Sequence, residues 1–220
     1  MNSYREVNPV NPVAPYLGGK RNLAKTLISR IGQIEHRTYV EPFVGMGGIF
    51  LKRRFAAKCE VINDWGREVA NFFRILQVHY IPFMDLMRFQ ITSRQAFERL
   101  ARTPPESLTD LQRAARFFHL QRTAFGGKPI KANFGVSTDR GARFDITRLA
   151  RMLEELHDRL SGVVIECLPY ADVIRRYDRP GTLFYLDPSY WGNESTGKTC
   201  STVMILRRWR RFSARSQAAS

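Results

Sequence analysis

One stretch restricts the fold of this chain more than any other. Thr38 to Phe43 is a short apolar run with the composition of a strand, and it leads directly into Glu41-Pro42-Phe43-Val44-Gly45-Met46-Gly47-Gly48. Ile49 to Ala57 follows with a helical pattern. Strand, glycine turn and helix form the arrangement in which backbone approaches a nucleotide-like ligand closely, because glycine leaves no Cβ in the way. Glu60 to Asn63 reads as a second strand, ending at Asp64. An acid at that place, about 20 residues after the turn, commonly takes ribose hydroxyls. Two further short apolar runs, Val163–Cys167 and Thr182–Leu186, alternate with helical stretches, so the expected architecture is α/β with a mostly parallel sheet.

Ligands of such sheets lie at the carboxyl ends of the strands. At the end of Thr182–Leu186 stand Asp187, Pro188, Ser189 and Tyr190. This turn suits one difficult reaction. An amino group on a base is a poor nucleophile, because its lone pair is delocalised into the ring. The Asp187 carboxylate and the Pro188 carbonyl can accept its two N–H bonds and draw the nitrogen toward tetrahedral geometry, while Tyr190 stacks on the base. The same residues also make an ordinary Asp-Pro turn after a strand.

The remaining stretches set the organisation. Residues 1–15 hold three prolines and few apolar anchors, which predicts an irregular lead-in. Tyr16-Leu17-Gly18-Gly19-Lys20 then precedes a helical stretch to about Ile31. Asn71 to about Phe125 is helical in character, with apolar stripes at Phe72, Phe73, Leu76 and at Phe83, Leu86, Met87. The loop 126–143 is rich in Gly, Lys and aromatic residues, a composition that suits phosphate and base contacts as well as a plain surface loop. Asp145 to Leu160 reads as a helix capped by Asp145 and stopped at Gly162, and Pro169 to Tyr177 as a short one.

Charge indicates the partner. The 220-residue chain carries a formal net charge of +15, which favours a polyanion such as nucleic acid over an indifferent basic surface. Lys198 and Arg207, Arg208, Arg210, Arg211 and Arg215 give residues 195–220 a purely basic tail, and the body stays basic without it. No apolar run is long enough to span a bilayer, and the N-terminus lacks a signal-peptide pattern. Cys59, Cys167 and Cys200 are widely spaced and read as reduced thiols, with no metal site among them.

Five motifs in order carry a resemblance: Tyr-Leu-Gly-Gly-Lys at 16–20, Glu-Pro-Phe-Val-Gly-Met-Gly-Gly at 41–48, Asn-Asp at 63–64, Pro-Tyr-Ala-Asp at 169–172 and Asp-Pro-Ser-Tyr at 187–190. Over about residues 14–194 the chain resembles the Dam-type (D12 class) adenine-specific DNA methyltransferases. The resemblance implies a Rossmann-like sheet binding S-adenosylmethionine, built from 14–74 and 144–194, with a helical target-recognition insert at 75–143. It implies Tyr16 and Lys20 beside the methionine part of the cofactor, Phe43 and Gly45 lining its turn, Asp64 on the ribose and Asp187 where cofactor and target amine meet. Asp187, Pro188 and Tyr190 would be catalytic, with direct transfer to N6 of a flipped adenine in double-stranded DNA and no metal. Arg122, Phe125, Lys128 and Lys131 fall in the insert as DNA contacts, Phe125 in the place of a duplex wedge. A monomer in a bacterial or phage-infected cytoplasm is implied.

Two departures stand out. Ser189 replaces the family's second proline, and the resemblance stops near Glu194. The C-terminal strands are expected to be missing, which would leave Thr182–Leu186 as an unpaired edge and impair activity. A non-catalytic, nucleic-acid-binding remnant of the same fold is the alternative reading, and an amide methyltransferase acting on protein glutamine is a third. The lysine-bearing first motif and the basic insert weigh against the third.

Overall fold

The structure is a computed structural model and describes residues 4–16, 20, 22–125, 133–135, 139, 141–188 and 204–206. In chain order the elements are β1 (Arg5–Glu6), α1 (Ala24–Gly32), β2 (Thr38–Glu41), a 3-10 turn (Phe50–Lys52), β3 (Phe55–Ala56), β4 (Cys59–Asn63) and α2 (Arg67–Val78). There follow α3 (Tyr80–Arg88), α4 (Arg94–Arg102), a 3-10 turn (Pro105–Ser107), α5 (Asp110–Thr123), α6 (Ile146–Leu160), β5 (Val164–Glu166), α7 (Tyr170–Tyr177), β6 (Thr182–Leu186) and β7 (Met204–Leu206).

The central sheet runs β5-β4-β2-β6-β7. Its first four strands are parallel, and β7 pairs antiparallel to β6, with Leu186 opposite Met204. The chain builds outward from β2 through β4 to β5, then returns to the other side of β2 with β6. Strand order therefore reverses between β2 and β6, the place where open α/β sheets leave a crevice.

Side chains alternate along the strands and divide the interior. Tyr39, Ile62, Leu183 and Tyr185 face the larger core with α1, α2, α3, α5 and α6. Val40, Val61, Phe184 and Leu186 face a smaller one, covered by Val173 and Ile174 of α7. The larger core is aromatic. Phe72 stacks on Phe118 with centroids 5.4 Å apart and also meets Phe73, Phe83 and Phe117. Burying each such ring contributes about 1.5–3 kcal/mol. Because α2, α3 and α5 share it, the helical stretch and the sheet have one continuous interior.

A buried charge cluster ties the far side together. Glu60 receives Arg53 Nη1 at 2.9 Å and Arg159 Nη1 and Nη2 at 2.7 and 3.1 Å, and all three residues are buried. The guanidinium of Arg53 lies 3.7 Å from the Tyr39 ring centroid, and that of Arg159 lies 4.0 Å from that of Phe50. Delocalised, weakly hydrated guanidinium groups suit such stacked and paired burial.

Two expectations fail and one needs an addition. Ile49 to Ala57 is not one helix. After the turn at Phe50–Lys52 the backbone of Arg53 is extended, its side chain directed inward to Glu60, and β3 pairs with β1. The lead-in is irregular beyond β1, as expected, but it is anchored more firmly than its composition suggests. Val10, Val13 and Ala14 are buried, and the amides of Val7 and Val10 donate to Arg54 O and Leu51 O, which satisfies the backbone that a helix would have used. Finally, Thr182–Leu186 is not an unpaired edge, because β7 takes its outer hydrogen bonds.

Candidate active site

The carboxyl ends of β2, β4 and β6 gather residues from four parts of the sequence. Asn63, buried at the end of β4, organises them. Its Nδ2 donates to Pro42 O at 2.9 Å and Leu168 O at 3.1 Å, and its Oδ1 accepts from Leu168 N at 2.8 Å. One amide side chain thus joins the segments after β2, β4 and β5. The Val44 amide adds a bond to Asn63 O at 3.0 Å.

The glycine turn is built around Asp64. Its Oδ2 accepts from Gly45 N at 2.9 Å and its Oδ1 from Gly66 N at 2.8 Å. Burial raises the Asp64 pKa, and the two amide bonds oppose that rise. Gly45 has φ of 51°, and a Cβ there would stand 2.8 Å from the Tyr16 ring. Only glycine permits both the left-handed backbone and the close approach of Tyr16. Burial, then the Asp64 charge, pushes the Tyr16 hydroxyl up to about 12.

Beyond the turn, Lys20 Nζ meets Asp187 Oδ1 at 2.7 Å. The pair lies over a floor of buried polar side chains. Tyr39 and Glu41 are two apart on β2 and so share a face, and the Tyr39 hydroxyl donates to Glu41 Oε2 at 2.7 Å. Burial lifts Glu41 to about 8 despite the Tyr39 bond and nearby Arg53, with the Asp187 charge adding to the rise. Tyr185 bears the same two-residue relation to Asp187. Burial, then the Asp187 charge, raises its pKa.

Tyr16, Lys20, Gly45, Asp64 and Asp187 therefore converge at the strand ends, with Pro188 following Asp187. Phe43 lies beside them but points to the smaller core, tilted against the half-exposed Tyr170 at 5.5 Å. Phe125 is 67% exposed, where the antiparallel bridge Ala124–Phe134 begins. Arg122 is turned inward, donating to Arg143 O and Val13 O. Tyr190, Lys128 and Lys131 lie outside the described residues, as do Ser189 and residues 207–220. Glu41 and Asn63 are site residues absent from the expected set. Both stand inside the quoted motifs, at strand ends, where a buried acid or amide is itself a signal.

What these features define is a mixed α/β protein with a mostly parallel sheet, its glycine turn and paired carboxylate at the strand ends, in keeping with a methyltransferase fold. Residues 16–206 match the family of D12 class N6 adenine-specific DNA methyltransferases, and the chain belongs to that family. The match runs past Glu194 and takes in β7, so the family's pattern extends beyond the limit read from the motifs alone. No curated protein matches the chain. Among the described residues, no helix is long and apolar enough to cross a membrane.

Proposed function

We propose that this protein transfers a methyl group from S-adenosylmethionine to N6 of adenine in duplex DNA, at the crevice between β2 and β6. The observation that carries the reading is the meeting of Lys20 and Asp187 at 2.7 Å beside the Gly45–Asp64 turn. The residues present fit the cofactor. The close approach at Gly45 leaves no room for a side chain, and Asp64 presents an anchored carboxylate whose remaining lone pairs can take ribose hydroxyls. Tyr16 and Lys20 border the methionine end, the ammonium supplying the charge its carboxylate needs. Phe43 lines the outer side of the turn.

When bound, S-adenosylmethionine supplies the methyl group as an electrophilic sulfonium substituent. The chain's own part is to prepare the amine. Asp187 and the Pro188 carbonyl accept the two N–H bonds of a flipped adenine, which localises the nitrogen lone pair toward the methyl carbon. Tyr190 stacks on the base and holds it in the crevice. As the C–N bond formed, the methyl–sulfur bond would break with its electron pair left on sulfur, giving S-adenosylhomocysteine, and one N–H proton would leave the nitrogen with Asp187 placed to accept it. Lys20 orients the Asp187 carboxylate for this task. The helical stretch 75–143 serves as target-recognition insert, with Phe125 entering the duplex and Lys128 and Lys131 on phosphates. The charge of +15 supplies the sequence-independent attraction to DNA.

The test is methyl transfer from labelled S-adenosylmethionine to duplex DNA. Asp187→Ala should fall below about a hundredth of the wild-type rate while still binding DNA, because it removes an interaction made in the transition state. Near-full turnover by that variant would exclude the proposed chemistry.

A further inference from the structure

The last turn of α5 holds two parts of the molecule at once. Consecutive side chains reach the same stretch of the amino-terminal segment. Gln121 Nε2 donates to Pro15 O, and Arg122 Nη1 donates to Val13 O at 3.1 Å. The next residue in that segment is Tyr16, whose ring lies against Gly45 of the glycine turn.

The same guanidinium faces the other way as well. Arg122 Nε and Nη2 donate to Arg143 O at 3.1 and 2.7 Å. Arg143 in turn sends Nη1 to Ala124 O at 3.2 Å, where the antiparallel bridge to Phe134 begins. The amides of Phe125 and Gly135 complete that base by donating to Asn133 O and Thr123 O. Gly135 fits tightly under the clasp, since a Cβ there would stand 2.9 Å from Arg143 Nη1. A satellite core of Phe97, Leu120 and Ala124, with Leu100 and Phe134 packed on it, supports the bridge apart from the main interior.

We propose that Arg122 is a positioning residue that couples the cofactor turn to the Ala124–Phe134 bridge of the recognition insert, so that cofactor and DNA tighten each other's binding. The proposal rests on the function proposed above. A guanidinium used for phosphate would present its planar fork outward. Here three of its donors go to main-chain carbonyls, one on the cofactor side and two on the side of the Ala124–Phe134 bridge. Burial and then the Arg143 charge both work against this cation and lower its pKa. Ligand on the turn fixes Tyr16 and the segment behind it, which sets the Arg122 fork, which sets Arg143 and the Phe125 base. Ordering done by the first ligand need not be repeated by the second, and by linkage the effect is mutual.

The experiment measures the dissociation constant of S-adenosylhomocysteine by calorimetry, with and without saturating fragmented, unmethylated duplex DNA. In the wild type, DNA should tighten it about fivefold or more. Arg122→Met should reduce that factor to below about twofold, Arg122→Lys should restore part of it, and the salt slope of DNA binding should be retained because no phosphate contact is lost. Hydrogen exchange in 8–16 and 123–125 should quicken together in Arg122→Met. If that variant does not fold, Arg143→Met, which cuts the tie to Ala124, should lose the coupling in its place. A wild type that binds both ligands independently overturns the coupling and leaves the functional reading intact. A variant that keeps the coupling but loses about one unit of salt slope makes Arg122 a phosphate contact and overturns it too. Absence of any S-adenosylhomocysteine binding removes both.

Discussion

Asp64→Asn separates the site from the scaffold. In the wild type each carboxylate oxygen holds one backbone N–H, from Gly45 at 2.9 Å and Gly66 at 2.8 Å, and offers its second lone pair outward. The substitution keeps the volume but turns one oxygen into an NH2 group. That group faces a backbone N–H, donor against donor, and can no longer accept from a ribose hydroxyl. A hydrogen bond to a charged group contributes about 1.5–3 kcal/mol, so S-adenosylhomocysteine should bind about 10- to 150-fold more weakly. Stability should change little. The raised Asp64 pKa means that the fold bears a desolvation cost for this charge, and the neutral amide removes it while losing one turn bond. Calorimetric titration with S-adenosylhomocysteine, paired with thermal unfolding, reads both quantities. An affinity within about threefold of wild type, in a protein that melts normally, would refute the assignment of Asp64 to the ligand.

Two further outcomes concern the interior. Glu60→Ala leaves Arg53 and Arg159 buried around an empty centre and should cost about 3–5 kcal/mol in urea unfolding, with Glu60→Gln intermediate; a loss under about 1 kcal/mol would mean that water reaches the cluster. Glu41 is an acid whose folded pKa, about 8, lies above its ordinary 4.5. Its contribution to stability is therefore complete below pH 4.5 and disappears as pH rises through about 8. Glu41→Gln, neutral throughout, should gain on the wild type across that window in paired melting curves, and a constant difference would show that Glu41 is ionised in the fold.

The parts of the fold legible in the sequence are those set by local pattern. Thr182–Leu186 is a strand at the expected bounds, because an apolar run between Pro180-Gly181 and Asp187-Pro188 leaves little choice. The Asp145 cap and the glycine turn are local too. What escaped depends on distant partners. Arg53 and Arg54 are adjacent and identical in type, yet the first is buried on Glu60 and the second lies at the surface, paired with Glu6. No periodicity separates them, and the broken helix at 49–57 follows from that difference. Residues 202–206 are the exception after Glu194, an apolar run whose three residues in β7 mark a strand only once β6 is there to receive them. Within the site, motif order placed Asp64 and Asp187 correctly at strand ends. The resemblance makes Arg122 a DNA contact of the insert, whereas its inward aim depends on carbonyls at Val13 and Arg143 that no local rule connects to it.

The two faces of the sheet are covered unequally, and this sets an order of opening. Five helices lie over one face, whereas among the described residues the other relies on α7, eight residues long, with Val173 and Ile174 as its buried anchors. Releasing α7 gives up Val173, Ile174, Tyr177 with its bond to Glu166 and the Phe43–Tyr170 contact, far fewer contacts than global unfolding surrenders, so this layer should open well before the aromatic core. Such an excursion would bare Val40, Val61 and Phe184 while the aromatic core stays shut. Because α7 follows Leu168, which Asn63 holds, each opening would also tug on the strand ends that shape the crevice. Proteases and deuterium should thus report on the catalytic side of the molecule well before they report on its centre.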